Sequence, residues 1–434
     1  MKESGIDWIG QIPEEWEVVR LQDVGDYKKG PFGSAITIDM FIEKSPGSYK
    51  VYEQKNAIRG NCEIGEAYIP KSVYNNLKNF SVYPLDIIVS CAGTIGKCYI
   101  LPEDCEQGII NQALMRVRVN KIVNLEYFLY IFDIVLSYAA IKYSNGSAIK
   151  NIPPFNVLNK LRVTLPSNIE QLQIVNYLNK KIAQLDKAKA LLEEQIQKLK
   201  DYRASLIYET VTKGLDKNVP MKDSGIDWIG QVPQGWGVKA IKYIFDEIGS
   251  GSTPKSDNEI FYDGDINWIQ SGDLYQTDTV TSVSKTISYQ GFKSTSALKI
   301  YQPPFVALAM YGASVGNVAV SYIDACVNQA VVVMLGSSEK VGFGKYAIEA
   351  SKSNLIFSAQ GGTQPNISQN LIKNWSIPQP KSEEQDQIVD FLDNETSRID
   401  KLIQIKNQQI ENINKQRQTL IYDYVTGKRR GKEI

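Results

Sequence analysis

The sequence predicts an α+β protein in which two tandem heads with mixed sheets are separated by two long helices that form an antiparallel coiled coil. Three observations carry this prediction: a repeated opening, short β-favouring runs in both halves, and two long stretches with a narrow apolar stripe. The length of 434 residues agrees with two or three domains of roughly 150 residues each. The predicted bounds are 1–166 for the first head, 167–214 for the first helix, 215–380 for the second head, and 381–434 for the second helix with a basic tail.

An internal repeat is the strongest feature of the chain. Residues 1–13, MKESGIDWIGQIP, return at 221–233 as MKDSGIDWIGQVP, with two conservative differences. Trp16 and Trp236 keep the same distance from these openings. A match of this length does not arise by chance, so the two halves are copies of one scaffold.

Fainter echoes continue through both halves. Residues 92–96 (AGTIG) correspond to 312–316 (GASVG), and 111–113 (NQA) correspond to 328–330 (NQA). Between such anchors the two sequences diverge. A shared frame with divergent loops indicates that the two copies recognise different things.

The heads themselves alternate between strand-like and helix-like segments. Short β-favouring runs separated by turns predict strands, and longer apolar-periodic stretches predict helices, which together indicate an α+β head. The predicted strands include 86–90, 114–119, 305–309 and 330–335, and the predicted helices are 125–141 and 345–357.

Each half ends in a stretch that predicts a long helix. Residues 170–212 contain no Pro or Gly, and apolar residues within 178–206 follow an a/d heptad pattern. The pattern returns in 383–426, with Arg203 and Arg417 interrupting the two stripes at the same place. A stripe this narrow favours packing on another helix, and the repeat favours an antiparallel pair about a local two-fold axis. A long amphipathic helix lying on a globular core stays open as the alternative.

The composition excludes several classes of function. The chain has no histidine, which rules out histidine-dependent acid–base chemistry, and its five cysteines form no C-x-x-C pair, which argues against a zinc site or a disulfide framework. Lys+Arg and Asp+Glu are both 48, so any positive charge for binding nucleic acid must be local or come from a partner. Without a secretory leader or a run of about 18 apolar residues, the chain is expected to be cytoplasmic and to have no contact with a membrane.

Three segments resemble catalytic motifs but lack essential parts. Residues 152–155 (IPPF) and 302–305 (QPPF) keep only the Pro-Pro-aromatic part of the adenine methyltransferase motif, and Ile152 has no hydrogen-bond acceptor in its side chain. Residues 93–98 (GTIGKC) lack the first glycine and the final Ser or Thr of a phosphate-binding loop. We interpret all three as turns, and we predict no catalytic residue, no metal site and no cofactor bound by this chain.

Polar and basic side chains near the predicted turns are candidates for contacts with nucleic acid. Lys and small hydroxyl groups suit phosphates, whereas Asn, Gln and Arg can pair with base edges. For each residue an ordinary solvated turn is the alternative. The candidates are Lys28, Lys29, Ser34, Arg59, Asn61, Ser90, Thr94, Lys97, Asn111 and Gln112 in the first head, and Ser252, Thr253, Lys255, Gln270, Ser271, Asp273, Tyr311, Ser314, Asn328 and Gln329 in the second.

In this order, and twice over, the motifs resemble the specificity subunits of type I restriction–modification systems. The matching pieces are the GIDWIGQ openings, the stretch GSTP…GDINWIQSGDL at 251–274, the glycine turns, Asn-Gln-Ala, and EQxxIVxxL at the start of each long helix. The resemblance covers essentially the whole chain. One departure is 30–34, which reads GPFGS rather than Gly-x-Thr-Pro, so loop contacts cannot be transferred from one head to the other.

The resemblance implies two target-recognition domains, each of which reads one half of a split, asymmetric site in double-stranded DNA. It also implies two methylation subunits that dock on the helices and methylate adenine with S-adenosylmethionine, and two restriction subunits that use ATP and Mg²⁺. The expected function is therefore that of a DNA-recognition subunit without catalytic activity, whose partners hold the cofactors. A structural coiled-coil adaptor and a self-contained DNA adenine methyltransferase stay open as alternatives.

Overall fold

The structure, a computed structural model, describes residues 1–143, 155–359 and 366–430. The chain divides into two compact units: unit 1 is Met1–Leu191 with Gln409–Ile434, and unit 2 is Leu192–Gln408. Both boundaries fall inside long helices, so each unit contains one head, the beginning of one long helix and the end of the other. The predicted domain bounds, which give each long helix a segment of its own, stay a prediction.

Unit 1 combines two four-stranded sheets with the beginning of the first long helix. Its elements are β1 (Lys2–Glu3), β2 (Gln11–Ile12), β3 (Glu17–Arg20), α1 (Leu21–Val24), β4 (Gly25–Lys29), β5 (Tyr49–Tyr52), α2 (Gln54–Arg59), β6 (Tyr68–Ile69), α3 (Lys71–Asn76), β7 (Ser81–Val82), β8 (Ile87–Ser90), β9 (Cys98–Ile100), β10 (Gly108–Ile110), β11 (Leu114–Val119), α4 (Leu125–Tyr143), α5 (Phe155–Leu158), β12 (Arg162–Leu165) and α6 (Asn168–Lys213).

The first sheet of unit 1 has the order β4-β11-β8-β9 and is antiparallel, whereas the second, β6-β5-β10-β7, contains a parallel pair between β5 and β10. Side chains alternate between the two faces of a strand. On β11, Met115 and Val117 therefore enter the main core with Phe128 of α4, while Arg116 points the other way and donates to Asp26. This packing places one face of the sheet on the helices.

Unit 2 repeats this plan with a five-stranded and a three-stranded sheet. Its further elements are β13 (Met221–Asp223), β14 (Gln231–Pro233), β15 (Gly237–Ala240), β16 (Glu247–Ser250), β17 (Tyr262–Ile269), β18 (Thr279–Val280), β19 (Thr286–Ile287), α7 (Tyr289–Lys293), β20 (Phe305–Ala309), β21 (Val318–Ser321), β22 (Cys326–Val327), β23 (Val331–Leu335), α8 (Ser338–Ala350), α9 (Lys352–Ser358), α10 (Gln369–Asn374), β24 (Ser376–Gln379) and α11 (Ser382–Val425). Among the helices that the structure describes, none combines the length and apolar composition needed to cross a membrane.

The larger sheet of unit 2 has the order β16-β23-β20-β21-β18 and is covered on both faces. Val306 and Leu308 of β20 enter one apolar cluster with α8, whereas Phe305, Ala307 and Ala309 enter another. A strand buried on both faces is apolar at every position. This explains why residues 305–309 form an unbroken apolar run in the sequence.

The repeated opening has a repeated structural role. The indole Nε1 of buried Trp16 donates to Oε2 of Glu170 in the first turn of α6, at 3.0 Å. In unit 2, Nε1 of Trp236 donates to Oε2 of Glu384 in the first turn of α11, at 2.9 Å. The duplicated sequence thus fixes how each long helix starts from its head.

The two long helices are antiparallel, as predicted. Within unit 2, Nζ of Lys406 donates to Oε1 of Gln195 at 2.6 Å, and Nε of Arg203 lies 3.5 Å from Oδ1 of Asp400. Moving forward along α6 therefore corresponds to moving backward along α11. The ends of the helices also enter the head cores, for example Ile207 of α6, which the coiled-coil prediction did not include.

Arg203, which interrupts the heptad stripe, binds an acidic cluster of unit 2. Its guanidinium donates to Glu349 of α8 and to Asp278, close to Asp400. Nζ of Lys345 lies 2.8 Å from Oε2 of Glu349, which adds a second cation. Burial alone would lower the pKa of Arg203, but the carboxylates together hold this pKa above its ordinary value. The interruption is therefore one of the points at which the head of unit 2 is attached to α6.

We expect Arg203→Ala to lower the free energy of unfolding of unit 2 by about 1–2 kcal/mol, because the partly buried carboxylates of Asp278 and Glu349 lose one of their two cations and keep only Lys345. Urea denaturation of the full chain measures the change. Lys200→Ala, an exposed substitution on the same helix, is the matched control and should change stability by less than about 0.5 kcal/mol. Equal stability of the two variants would contradict a stabilising role for the cluster.

Candidate nucleic-acid interface

In unit 1, three backbone segments meet at one end of the sheet that contains β4, β8 and β11. They are 29–30, 90–97 and 111–113, and we call them together the first loop edge. The N–H of Gly30 donates to the carbonyl of Leu114 at 2.9 Å, and the N–H of Cys91 donates to the carbonyl of Ala113 at 2.8 Å. These bonds hold the three segments in a fixed relation.

Ser90 shapes the longest of these segments. Its buried hydroxyl donates to the carbonyl of Thr94 at 2.5 Å and accepts from the N–H of Lys97 at 2.9 Å. Asn111 acts similarly in the neighbouring turn, where its Oδ1 accepts from the N–H of Ala113 at 3.0 Å. Ser90 and Asn111 are therefore turn-forming residues. The exposed candidates of the first loop edge are Lys29, Thr94, Lys97 and Gln112.

Unit 2 has an equivalent second loop edge, formed by residues 250–253, 309–317 and 328–330. The N–H of Met310 donates to the carbonyl of Ala330 at 2.8 Å, which joins two of the segments. Oδ1 of Asn328 accepts from the N–H of Ala330 at 3.0 Å, as Asn111 does in unit 1. The predicted correspondence of the two Asn-Gln-Ala turns is thereby confirmed.

Strand register aligns the two edges residue by residue. Lys29 lies opposite Met115 on the neighbouring strand, and Ser250 lies opposite Val332. Lys29 therefore corresponds to Ser250, and three residues further on Phe32 corresponds to Thr253. The two Asn-Gln-Ala turns align Gln112 with Gln329. The same register aligns Gly30 with Gly251, so GPFGS and GSTP match from their first residues.

The two edges differ in chemistry at this pair of positions. In unit 2 the hydroxyl of Thr253 donates to the side-chain oxygen of Gln329. In unit 1 the corresponding residues are Phe32, whose side chain is 91% exposed, and exposed Gln112. One backbone frame therefore presents a bonded polar pair in one head, whereas the other head has an exposed aromatic ring at the position of the threonine.

Two other candidates also have roles in the fold. Oδ2 and Oδ1 of Asp273 accept from the N–H groups of Gln270 and Ser284, at 2.8 and 3.0 Å. Asp273 corresponds to buried Asn56, whose Oδ1 accepts from the N–H of Glu53 at 2.7 Å at the start of α2. Ser314 is buried within the second loop edge. Any contact of these residues with nucleic acid stays a prediction.

The remaining candidates of unit 1 lie at different distances from the first loop edge. Nζ of Lys28 lies 5.4 Å from the ring centre of Phe80, and Ser34 lies in a short turn next to Phe32. Arg59 is at the far end of α2, and Oδ1 of Asn61 accepts from the backbone of the next turn. Arg59 and Asn61 are therefore not brought to the edge by the strand ends.

In unit 2 the candidates lie closer together. Gln270 and Ser271 follow Ile269, whose carbonyl accepts from the N–H of Asn328 at 3.0 Å, so they lie beside the second loop edge. Ser252 belongs to this edge, and exposed Lys255 follows it. Tyr311 lies in the 309–317 loop, and its partial burial raises the pKa of its hydroxyl.

The sequence analysis missed three residues at these edges. The amide of Gln54 donates to the carbonyl of Ala92, which ties α2 to the first loop edge. On the second, Nζ of Lys352 donates to Oδ1 of Asn317 at 2.6 Å, and burial lowers the pKa of this lysine. Phe32 is the third, because polar residue types were the only signal used. Gln54 could have been found as the second of two polar residues that follow strand β5.

The QPPF segment does not join the second loop edge, whereas residues 93–97 of the GTIGKC segment belong to the first loop edge. Gln302 precedes β20, at the end of the strand opposite the second loop edge, and Phe305 is fully buried in the core. A buried ring cannot stack on a base. Of residues 152–155, the first three lie outside the described residues. In the described parts of the chain, no three Cys, Asp or Glu side chains come together in a way that could hold a metal ion.

Comparison with known proteins gives consistent results. The chain matches the family model described as type I restriction modification DNA specificity domain, over residues 13–200 and 233–415. It is 25% identical over 445 residues to the type I restriction enzyme MjaVIII specificity subunit of Methanocaldococcus jannaschii, covering 98% of this chain and 95% of that protein. A 192-residue stretch, 43% of each chain, is 31% identical to the MjaIX specificity subunit of the same organism.

Two solved structures share the fold. A chain from a study of complex assembly and conformational transition of the type I R-M system superposes with a TM-score of 0.70 at 16% identity, covering 96% of this chain and 98% of that chain. The HsdS subunit from Thermoanaerobacter tengcongensis superposes with a TM-score of 0.50, also at 16% identity and with the same coverage. At this identity the likeness concerns the fold alone.

We expect Gly251→Ala to destabilise the second loop edge by about 1–3 kcal/mol, the usual effect of overpacking. A Cβ atom at this position would lie 1.7 Å from the carbonyl oxygen of Val327, so the backbone would have to move. Gly272→Ala is the control, because no atom lies within 4 Å of its added Cβ. Thermal denaturation compares the two variants, and equal melting temperatures would contradict the close approach.

Proposed function

The chain belongs to the family of type I restriction modification DNA specificity domains and is a specificity subunit, and we propose on this premise that its two loop edges each read one half of a split, asymmetric site in double-stranded DNA. Alternating small polar, amide and lysine side chains are suited to this task. Gln can pair with the N6 and N7 groups of adenine in the major groove, and Lys neutralises phosphates.

The proposal rests on the observation that the two loop edges share one backbone arrangement but expose different side chains. The Asn-Gln-Ala turns and their hydrogen bonds are the same in both units, whereas Thr253 with Gln329 in one edge is replaced by Phe32 with Gln112 in the other. A scaffold that is kept while its exposed groups change supports recognition of two unlike half-sites. If the chain were a purely structural coiled-coil adaptor, two loop edges with different exposed side chains would have no explanation.

We propose further that catalysis belongs to partners. These are two methylation subunits, which use S-adenosylmethionine, and, in the full complex, two restriction subunits, which use ATP and Mg²⁺. The formal net charge of zero supports dependence on partners, because the chain alone has little long-range attraction for phosphates. The complex would act on DNA in the cytoplasm.

The test is a graft made in the complex with the methylation subunits. When residues 221–378 are replaced by those of a relative with another specificity, methylation mapping should show one changed half-site and one unchanged. The reciprocal graft of residues 1–165 should change the other half-site only. If either graft altered both half-sites, independent recognition by the two edges would be wrong.

The purified chain should transfer no methyl group, because the QPPF segment is distant from the second loop edge and its Phe305 is buried. The assay is incorporation of labelled methyl groups from S-adenosylmethionine into DNA containing the mapped site. Adding methylation subunits should start the transfer, and Gln302→Ala should leave this rate unchanged. Transfer by the chain alone, abolished by Gln302→Ala, would favour the self-contained methyltransferase instead.

A further inference from the structure

Phe32 is the most exposed large apolar side chain in the described part of the molecule, at 91%. It lies three residues after Lys29, directly beside the first loop edge. Isolated exposed apolar residues are common on protein surfaces, so exposure alone assigns no role to Phe32. Its backbone setting and its position in the register provide the further evidence.

The backbone holds Phe32 in place from both sides. Pro31 is buried before it, and Ile36 is buried after it in a cluster with Val51 and Ile109. Between these anchors, the N–H of Ala35 donates to the carbonyl of Phe32 at 2.8 Å, which closes a tight turn. The ring is therefore presented outward by a turn that is fixed at both ends.

The strand register relates Phe32 to a residue of the second loop edge, which is proposed to bind DNA. Thr253, its counterpart in unit 2, is paired with Gln329, and such polar groups can read base edges. The shared register gives Phe32 the position of Thr253, three residues after exposed Lys29. The lysine provides charge complementarity to a phosphate backbone, and the ring, which has no hydrogen-bond donor or acceptor, is suited to an apolar or stacking contact.

We propose that Phe32 is a specificity-determining residue that contacts the C5-methyl group of a thymine in the half-site read by unit 1. In the major groove this methyl group is the apolar feature that distinguishes one base from the others, and phenylalanine is among the side chains that contact it. The inference rests on the proposed function, since it concerns the same surface. It explains why an aromatic ring stands where the other head has a threonine.

The experiment measures binding of the complex with methylation subunits to duplexes that contain the mapped site. Each thymine of the half-site read by unit 1 is replaced in turn by uracil, which removes only the C5-methyl group. For the wild-type chain, one of these replacements should weaken binding about tenfold, the size expected for one lost base contact. Phe32→Ala should weaken binding to the unmodified duplex by a similar factor.

The decisive result is the coupling between the two changes. Phe32→Ala should show no further loss on the sensitive uracil duplex, whereas Phe32→Leu, which keeps an apolar side chain, should retain most of the sensitivity. The proposal would be overturned if the losses of affinity caused by Phe32→Ala and by the uracil replacement multiplied. It would also be overturned if Phe32→Ala bound the unmodified duplex as the wild type does. Contact of the ring with stacked bases rather than with a methyl group would appear as a loss without uracil coupling, which also overturns it.

Two controls separate the possible failures. Tyr83→Ala changes an aromatic residue at the opposite end of β8, where the ring lies 4.8 Å from the guanidinium of Arg118, and it should leave uracil sensitivity unchanged. Thermal denaturation of Phe32→Ala should match the wild type, because the ring is exposed. If the complex prefers the mapped site but the effects of Phe32→Ala and of the uracil replacement are not coupled, only the proposed role of Phe32 is refuted. A complex without preference for that site refutes the proposed function.

Discussion

A buried indole N–H that donates to a carboxylate in the first turn of a long helix is the interaction on which each unit depends. A buried carboxylate is stable only when donors satisfy it. In unit 1, Glu170 accepts from Trp16 and also from Nε of Arg430 at 3.0 Å. In addition, a Cβ at Gly427 would lie 3.1 Å from the Trp16 ring. One tryptophan thus bonds to the beginning of one long helix and lies close to Gly427, two residues after the end of the other.

The elements that depend on local pattern could be predicted from the sequence. The apolar runs of β20 and β23, helix α4 and the two long helices lie where periodicity places them. The helix predicted at 345–357 was wrong in its bounds, because it begins at Ser338 and is interrupted at Ser351. Its first turns contain Gly344, which lowers helix propensity. The structure needs this glycine because a Cβ there would lie 2.5 Å from the ring of Phe245.

The candidate site was less accessible to sequence reasoning, for two physical reasons. A polar residue in a turn can face solvent, or it can form the turn itself, as Ser90 and Asp273 do, and composition does not distinguish these cases. The partners of Arg203 are also distant in sequence, at Asp278 and Glu349, so the heptad pattern showed an interruption without its cause. The sequence matched the two Asn-Gln-Ala turns, but the match of Phe32 with Thr253 required the strand register, which no local pattern contains.

Unit 1 is formed by two separate segments of the chain, which has a consequence for its folding during synthesis on the ribosome. The carbonyl of Val425 accepts from Oγ1 of Thr164 at 2.6 Å, and Ile421 and Tyr424 belong to the main core of this unit. Unit 2 is a continuous stretch, Leu192–Gln408, whereas unit 1 needs residues from both ends of the chain. Because chains emerge from the N-terminus onward, the head that is made first is completed last. Until then its apolar surface lacks the helix that covers it, and this interval is where nascent chains are most exposed to chaperones and to aggregation.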